Sequence, residues 1–282
     1  MISGPLLLIS SAFLHALWNA LAKSSKDKES FLFLTIMLSG LFTLATFIPV
    51  PGWHLPQGKA LYIAIASGVF EGLYFIALSK ALRSGALGTS YAIMRGGAMI
   101  LVWIISILFL GEVAAGIHYF GAFVILLGLL TINTLELKKL SGTGLDEGTL
   151  WSLVSAAFIA AYHLCYHQAL LENAEPRSLF FISMMVSLPF LFWGIRKKPW
   201  LRLKLAAAER NGVVVLTSMA AAASFLIFLH GLRVSAPGFA ISLRNTSIFF
   251  AVLFSFLLKE NLTRMQIFGA IGIGFGAVLL SL

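Results

Sequence analysis

The sequence predicts an all-α integral membrane protein of ten transmembrane helices, arranged as two inverted repeats of five. Three observations carry this: a charge-poor composition, apolar runs of membrane-spanning length, and charged residues that recur at matched places in the two halves. The 282 residues are 59% hydrophobic and 11% charged, where soluble domains carry about 25% charged residues. Mean hydropathy is +0.94. The apolar residues fall in long continuous runs instead of amphipathic stripes, which assigns them to lipid and not to a large soluble core.

The runs lie at approximately 4–22, 31–49, 60–80, 87–110, 115–134, 149–171, 178–195, 211–232, 236–258 and 264–282, each near the roughly 17 to 25 residues a spanning helix needs. Helix is the required form because lipid offers backbone groups no partner outside the segment. The first run begins MISGPLLLISSAFLHALW, with no Lys or Arg ahead of it and no small-residue cleavage site, so a retained helix is expected and not a removed signal peptide. The second and third runs are separated by the turn formers Pro49, Pro51, Gly52 and Pro56, and the seventh is followed by Arg196, Lys197 and Lys198. Between the fifth and sixth runs lies the polar stretch LELKKLSGTGLDEG, which divides the chain into a first repeat (1–140), a linker (141–148) and a second repeat (149–282). No gap is long enough for a folded soluble domain. Trp53 and Trp200 flank runs, as interfacial anchors do.

A net charge of +9 raises the question of nucleic acid. The cations are confined to short gaps, where they set topology and meet anionic head groups, so the partner predicted is the lipid bilayer and no nucleic acid. Cys165 sits alone inside an apolar run and reads as packing.

The halves are alike in sequence. ALRSGALGTSYAIMRGG followed by LFLGE lies over GLRVSAPGFAISLRNTS followed by FLLKE with a short gap. Leu82 and Arg83 then match Leu232 and Arg233, Arg95 matches Arg244, Glu112 matches Glu260, and Gly121 and Gly128 match Gly269 and Gly276. Five helices per half is an odd number, so the second copy enters the membrane inverted, an architecture characteristic of secondary transporters.

These residues, with HALWNALAK in the first run, the hinges ALRSGALG and GLRVSAPG, and the acidic endings LGE and LKE, resemble the EamA-type domains of the drug/metabolite transporter superfamily over nearly the whole chain. The resemblance implies a solute carrier with a central cavity between the halves, often an exporter of small metabolites. The HALWN form is similar to a subgroup associated with phosphonate-utilisation genes. Where family members often carry Pro in the fourth and ninth helices, this chain has Gly96 and Gly97 after Arg95, and Asn245, Thr246 and Ser247 after Arg244. A substrate is therefore not carried over.

Arg95 and Arg244 lie near the centres of apolar runs, where a cationic side chain costs roughly 2.5 to 3.5 kcal/mol to insert. The functional reading is a pair of guanidinium forks lining one aqueous chamber and binding a small anionic solute, a carboxylate or a phosphonate or phosphate. The bland reading is snorkelling, or a permanent ion pair with Glu71, which also lies in mid-helix. One Glu leaves an excess of one positive charge against two Arg, which favours an anion and leaves a zwitterion open. Glu71 has a second reading as a proton-coupling group. His15, Trp18 and Asn19 in the first run and Tyr162, His163 and His167 in the sixth occupy corresponding helices and are assigned to the same cavity, with Asn245 beside Arg244. His163 and His167 have the i, i+4 spacing of metal ligands but no third ligand or HExxH pattern, so packed or hydrogen-bonded histidines are expected, with no metal and no cofactor. Glu112 and Glu260, at helix ends, are expected to be structural or gating residues. The Gly269, Gly272, Gly276 series predicts a close-packing face, within the chain or in a homodimer.

Odd-numbered gaps hold Lys23, Lys26, Lys28, Lys80, Arg83, Lys138, Lys139, Arg196, Lys197, Lys198, Arg202, Lys204, Arg210, Lys259 and Arg264, and even-numbered gaps only Lys59, Arg177 and Arg233. The positive-inside rule puts the odd gaps in the cytoplasm and both termini outside it, in a plasma membrane or, in a bacterium, the inner membrane. A membrane-embedded enzyme is the main rival reading. Its case is weak, because both aspartates, Asp27 and Asp146, lie in loops and no catalytic motif is visible. A carrier of amphipathic amines or amino acids is the other alternative.

Overall fold

The computed structural model describes residues 4–47, 54–109, 115–137, 146–209, 211–234, 244–280 and 282. Trp53, Glu112, most of the 141–148 linker and the first part of the 236–258 run lie outside them. Among the described residues there is no strand. The helices are α1 (Gly4–Ser24), α2 (Lys28–Ala45), α3 (Gly58–Ser84), α4 (Leu87–Phe109), α5 (Gly116–Leu137), α6 (Glu147–Leu171), α7 (Pro176–Ile195), α8 (Pro199–Glu209), α9 (Asn211–Val234), α10 (Ser247–Leu257) and α11 (Arg264–Leu280). By length and composition, 7 of these are apolar enough to cross a membrane: α1 to α4, α6, α7 and α9. Parts of α5, α10 and α11 form shorter apolar helices. The protein is thus an all-α membrane protein, with large apolar side chains such as Phe123, Leu130, Phe268 and Phe275 on its outer face.

Local chemistry sets the helix ends. Asp27 caps α2 by accepting from the amide of Ser30, Asp146 caps α6 through Thr149, and Glu175 caps α7 through Ser178. Helix α8 was not expected, since its PWLRLKLAAAE sequence has no long apolar run. Pro at its first position and good helix formers behind it are the signals. Trp200, exposed as an anchor would be, belongs to this helix. Arg202 of α8 grips the loop before α2: its Nε and Nη2 donate to the two Asp27 oxygens, each at 2.7 Å, and Nη2 also donates to Glu29 at 2.9 Å.

Packing follows an exchange pattern. Helix α3 packs on α6 and α7, while α9 packs on α1 and α2; α4 packs on α6, while α10 packs on α1. Three contacts join elements at matched positions: α2 with α7, α4 with α10 and α5 with α11. The last is a glycine crossing. A Cβ on Gly128 would lie 2.7 Å from the carbonyl oxygen of Gly269, and one on Gly276 would lie 2.7 Å from that of Gly121. Only glycine permits this approach. The glycine face is therefore spent within the chain. On α4, Gly96 and Gly97 leave room for Ile273 of α11 and Ala156 of α6.

One end of the bundle is tied by polar contacts. Just past the end of α10, Lys259 takes the left-handed region (φ 55), with the Glu260 amide donating to the Ser255 carbonyl at 3.0 Å. The turn brings the Glu260 carboxylate to the amide of Leu87 at 2.8 Å, and Ser255 Oγ accepts from the amide of Gly88 at 2.6 Å. Two of the open amides at the start of α4 are satisfied this way. Lys23 of α1 donates to the carbonyls of Leu82 and Gly85 at the end of α3 and lies 3.6 Å from Glu260. Glu260 is thus a structural tie at a helix end.

Candidate functional site

Both mid-helix arginines are inside the protein, Arg95 at 3% and Arg244 at 1% exposure, so neither snorkels to the surface. Glu71, His15, Trp18, Asn19, Tyr162 and Asn245 are also buried, and His163 is partly so. The two guanidinium groups are near enough to repel one another, and both act electrostatically on His15 and His163.

Arg244 is held on several sides. The backbone is helical at Arg244 and Asn245, turns at Thr246, and resumes as α10 at Ser247. From there Nη1 donates to Ser11 Oγ at 3.1 Å and the Ser224 carbonyl at 3.4 Å, and Nη2 meets His15 Nδ1 at 3.1 Å. The guanidinium lies over the rings of Phe228 and Phe225, 4.0 and 4.8 Å from their centroids. Ser11 and Ser224 also bond each other reciprocally, Oγ to carbonyl, at 2.7 and 3.0 Å, joining α1 to α9. His15 Nδ1 receives a second donor, Trp18 Nε1, at 3.2 Å. Arg and Trp have no acceptor capacity, so this network assigns His15 as the neutral ring with its proton on Nε2. Asn19 Nδ2 donates to the His15 carbonyl at 2.8 Å.

Arg95 has a looser setting. It lies one turn from Tyr91 on unbroken α4, its Cζ 5.7 Å from the Tyr91 ring centroid. The Tyr91 hydroxyl is a close polar neighbour of the guanidinium, short of good hydrogen-bond geometry, and Nη2 of Arg95 is buried without a partner among the described residues. Rings continue the site across α6: Tyr162 is 4.6 Å from His163 and 5.6 Å from Tyr74, and His163 is 5.9 Å from Phe228. His15 is 6.0 Å from Tyr91, which links the surroundings of the two arginines.

Glu71 of α3 makes no ion pair with either arginine among the described residues. Its Oε2 accepts from Tyr166 at 2.6 Å and Ser183 at 2.5 Å, while Oε1 is buried and unpartnered. Buried atoms without partners also include Asn19 Oδ1, Tyr162 OH, His163 Nε2, Arg244 Nε and Asn245 Nδ2. Native interiors rarely leave so many polar atoms unmatched, and such a concentration marks a place for water or a polar guest.

Sequence reasoning missed Tyr91, Tyr166, Ser11, Ser183 and Ser224. Helical spacing would have found some of them: Tyr91 is four residues before Arg95, Ser11 four before His15, and Tyr166 four after Tyr162. Ser183 and Ser224 arrive through tertiary packing.

A helical bundle with an apolar outer face and charged, hydroxyl and imidazole groups gathered inside it is that of a polytopic membrane protein. Residues 147–282 match the model of the EamA-like transporter family. That match covers the second half of the chain, and the members of the family are membrane transporters of the drug/metabolite transporter superfamily. Among curated proteins none matches the chain. A solved structure described as "Crystal structure of protein" is similar over 99% of this chain and 98% of its own, at 15% identity and a TM-score of 0.62, a likeness of fold.

Proposed function

We propose that the protein is a secondary carrier that moves a small polar solute, anionic or zwitterionic, by alternating access between two inverted halves (1–140 and 149–282), more readily outward than inward. The solute sits in a central site formed by Arg95, Arg244, Glu71, His15, Trp18, Asn19, Tyr162, His163 and Asn245. The observation that carries this reading is the pair of fully internal guanidinium groups with no ion-paired carboxylate among the described residues. Two cations against one acid leave the centre positive, and a guest anion relieves that charge. The unpartnered Oε1 of Glu71 gives the ammonium of a zwitterion a place and makes Glu71 the candidate for proton coupling. The exchange pattern of helix packing and the reciprocal glycine crossing support the inverted division. The excess of Lys and Arg in alternate gaps supports both termini on the non-cytoplasmic side of a plasma membrane.

Purified protein in liposomes tests the reading. Carboxylates, phosphonates, amino acids and amines are offered as labelled solutes, with chemical analysis of what emerges. Flux of an unmodified anion or zwitterion, lost in Arg95→Ala, is expected. Conversion of the solute would make the protein an enzyme, and undiminished flux in both Arg95→Ala and Arg244→Ala would remove the site.

A further inference from the structure

We infer that the anionic group of the solute docks on a subsite shared by α4 and α6, formed by Arg95, Tyr91, Tyr162 and His163, while Arg244 is committed to the protein's own framework. This deepens the carrier reading and rests on it for the guest's being a transported solute.

The first ground is what each guanidinium has left to give. A guanidinium has five N–H donors. Arg244 directs both terminal nitrogens at protein acceptors on α1 and α9 and stacks on two phenylalanines, which leaves it Nε alone, and a guest would have to displace Ser11, Ser224 or His15 to reach the terminal nitrogens. Nη2 of Arg95 is buried and has no acceptor. Three more buried atoms without partners are found in its surroundings: the hydroxyls of Tyr91 and Tyr162, and His163 Nε2. Arg95 Cζ is 5.7 Å from the Tyr91 ring centroid, Tyr162 and His163 are in edge contact, and α4 packs on α6, with Gly97 against Ala156. Two phenolic O–H groups, one guanidinium edge and an imidazole nitrogen that donates when it carries the ring proton form a donor set. An oxyanion, whether carboxylate, phosphonate or phosphate, is the guest whose two or three acceptor oxygens match it. Glu71, the nearby acid, has turned Oε2 to Tyr166 and Ser183 and does not pair with Arg95.

The second ground is that the sequence does not repeat this set. When Arg95 is laid over Arg244, Tyr91 falls on Ala240, and when HLCY (163–166) is laid over HALW (15–18), Tyr162 falls on Leu14. The arginine and the histidine are duplicated; both tyrosines are present on the Arg95 side only. His15, the counterpart of His163, has its Nδ1 occupied by Arg244 and Trp18. The hydroxyl donors and the free guanidinium edge therefore fall in the same half of the site.

The experiment uses the full-length protein in detergent with three probes, acetate, methylphosphonate and inorganic phosphate, titrated by calorimetry. Heat unfolding is measured on each variant, and liposome flux is measured separately. Saturable binding of at least one probe is expected, weakened about tenfold or more by Arg95→Gln and several-fold by Tyr91→Phe and Tyr162→Phe, which keep the ring. Arg244→Gln, or Arg244→Lys should the former not fold, is expected to unfold at lower temperature and to weaken probe binding less than Arg95→Gln does. The subsite is overturned by absence of saturable binding in wild type, by tyrosine variants that bind as wild type does, or by an Arg244 variant that loses the anion as fully as Arg95→Gln at unchanged unfolding temperature. Binding as expected without flux would sink the carrier reading and leave the subsite standing.

Discussion

Arg95 and Arg244 hold matched positions in the two halves, but the chain treats them differently. Helix α4 passes Arg95, Gly96 and Gly97 without interruption, while the segment carrying Arg244 turns at Thr246 before α10 begins. Around Arg244 the protein supplies a hydroxyl, a carbonyl, an imidazole and two rings, leaving Nε unmatched; around Arg95 the terminal Nη2 and the Tyr91 hydroxyl find no partner among the described residues. Matched positions in the sequence thus do not impose matched chemistry. One buried cation is held by the protein on several sides, and the other keeps a terminal nitrogen without an acceptor among the described residues.

The largest expected effect breaks the comparison if it fails. Arg95→Ala should lower solute flux by about a hundredfold while membrane insertion and heat stability in detergent stay near wild type. Arg244→Ala should instead destabilise by about 2–4 kcal/mol, because Ser11, Ser224 and His15 lose a charged partner in the interior. Equal profiles for the two variants would mean that the arginines do the same work. Where the halves do remain equivalent, matched changes should match in effect. Gly128→Leu and Gly276→Leu each drive a side chain into a facing backbone and should each cost about 1–3 kcal/mol, by unfolding in denaturant. A difference between them larger than that range would show that the crossing is not symmetric.

The tie between α8 and the loop before α2 gives a smaller, pH-dependent effect. Burial alone would raise the Asp27 carboxyl, but the bonds from Arg202 and Ser30 outweigh it and hold the group below its ordinary range. Its contribution is therefore complete above the unfolded value of about 3.9 and is lost as the pH falls further, through the lower folded value. Asp27→Asn should cost about 1 kcal/mol at neutral pH, discounted for solvent screening, and nothing in strong acid. Smallest is Ser11→Ala, at about 0.6 kcal/mol, the usual worth of one hydrogen bond between membrane helices. A much larger value would make Ser11 a part of the Arg244 anchor in its own right.

Much of this organisation is legible in the sequence because lipid is a demanding solvent. It requires long apolar runs, and it makes any interior Arg or Glu conspicuous, which is how Arg95, Arg244 and Glu71 were found. Helix α8 was not legible, since a short helix at a polar boundary needs no apolar run. Nor was the division of labour between the arginines. The groups that hold Arg244 come from α1 and α9, 233 and 20 residues away in the chain, and no local pattern announces that Ser11 and Ser224 meet. The interruption at Thr246 had only an indirect sign, the polar run Asn245, Thr246, Ser247 in an apolar stretch.

The glycine crossing of α5 and α11 bears on motion. Helices that touch backbone to backbone, with Ile125 and Ile273 alone interlocking beside the point of contact, can rotate about that point with limited repacking, but they cannot separate without forfeiting the whole contact. A rocking movement between the proposed halves would therefore turn about a contact that reaches the neighbour of Arg95, since Gly96 packs on the same Ile125 and Ile273, and a bulky residue at Gly128 or Gly276 would jam the pivot as well as loosen the fold.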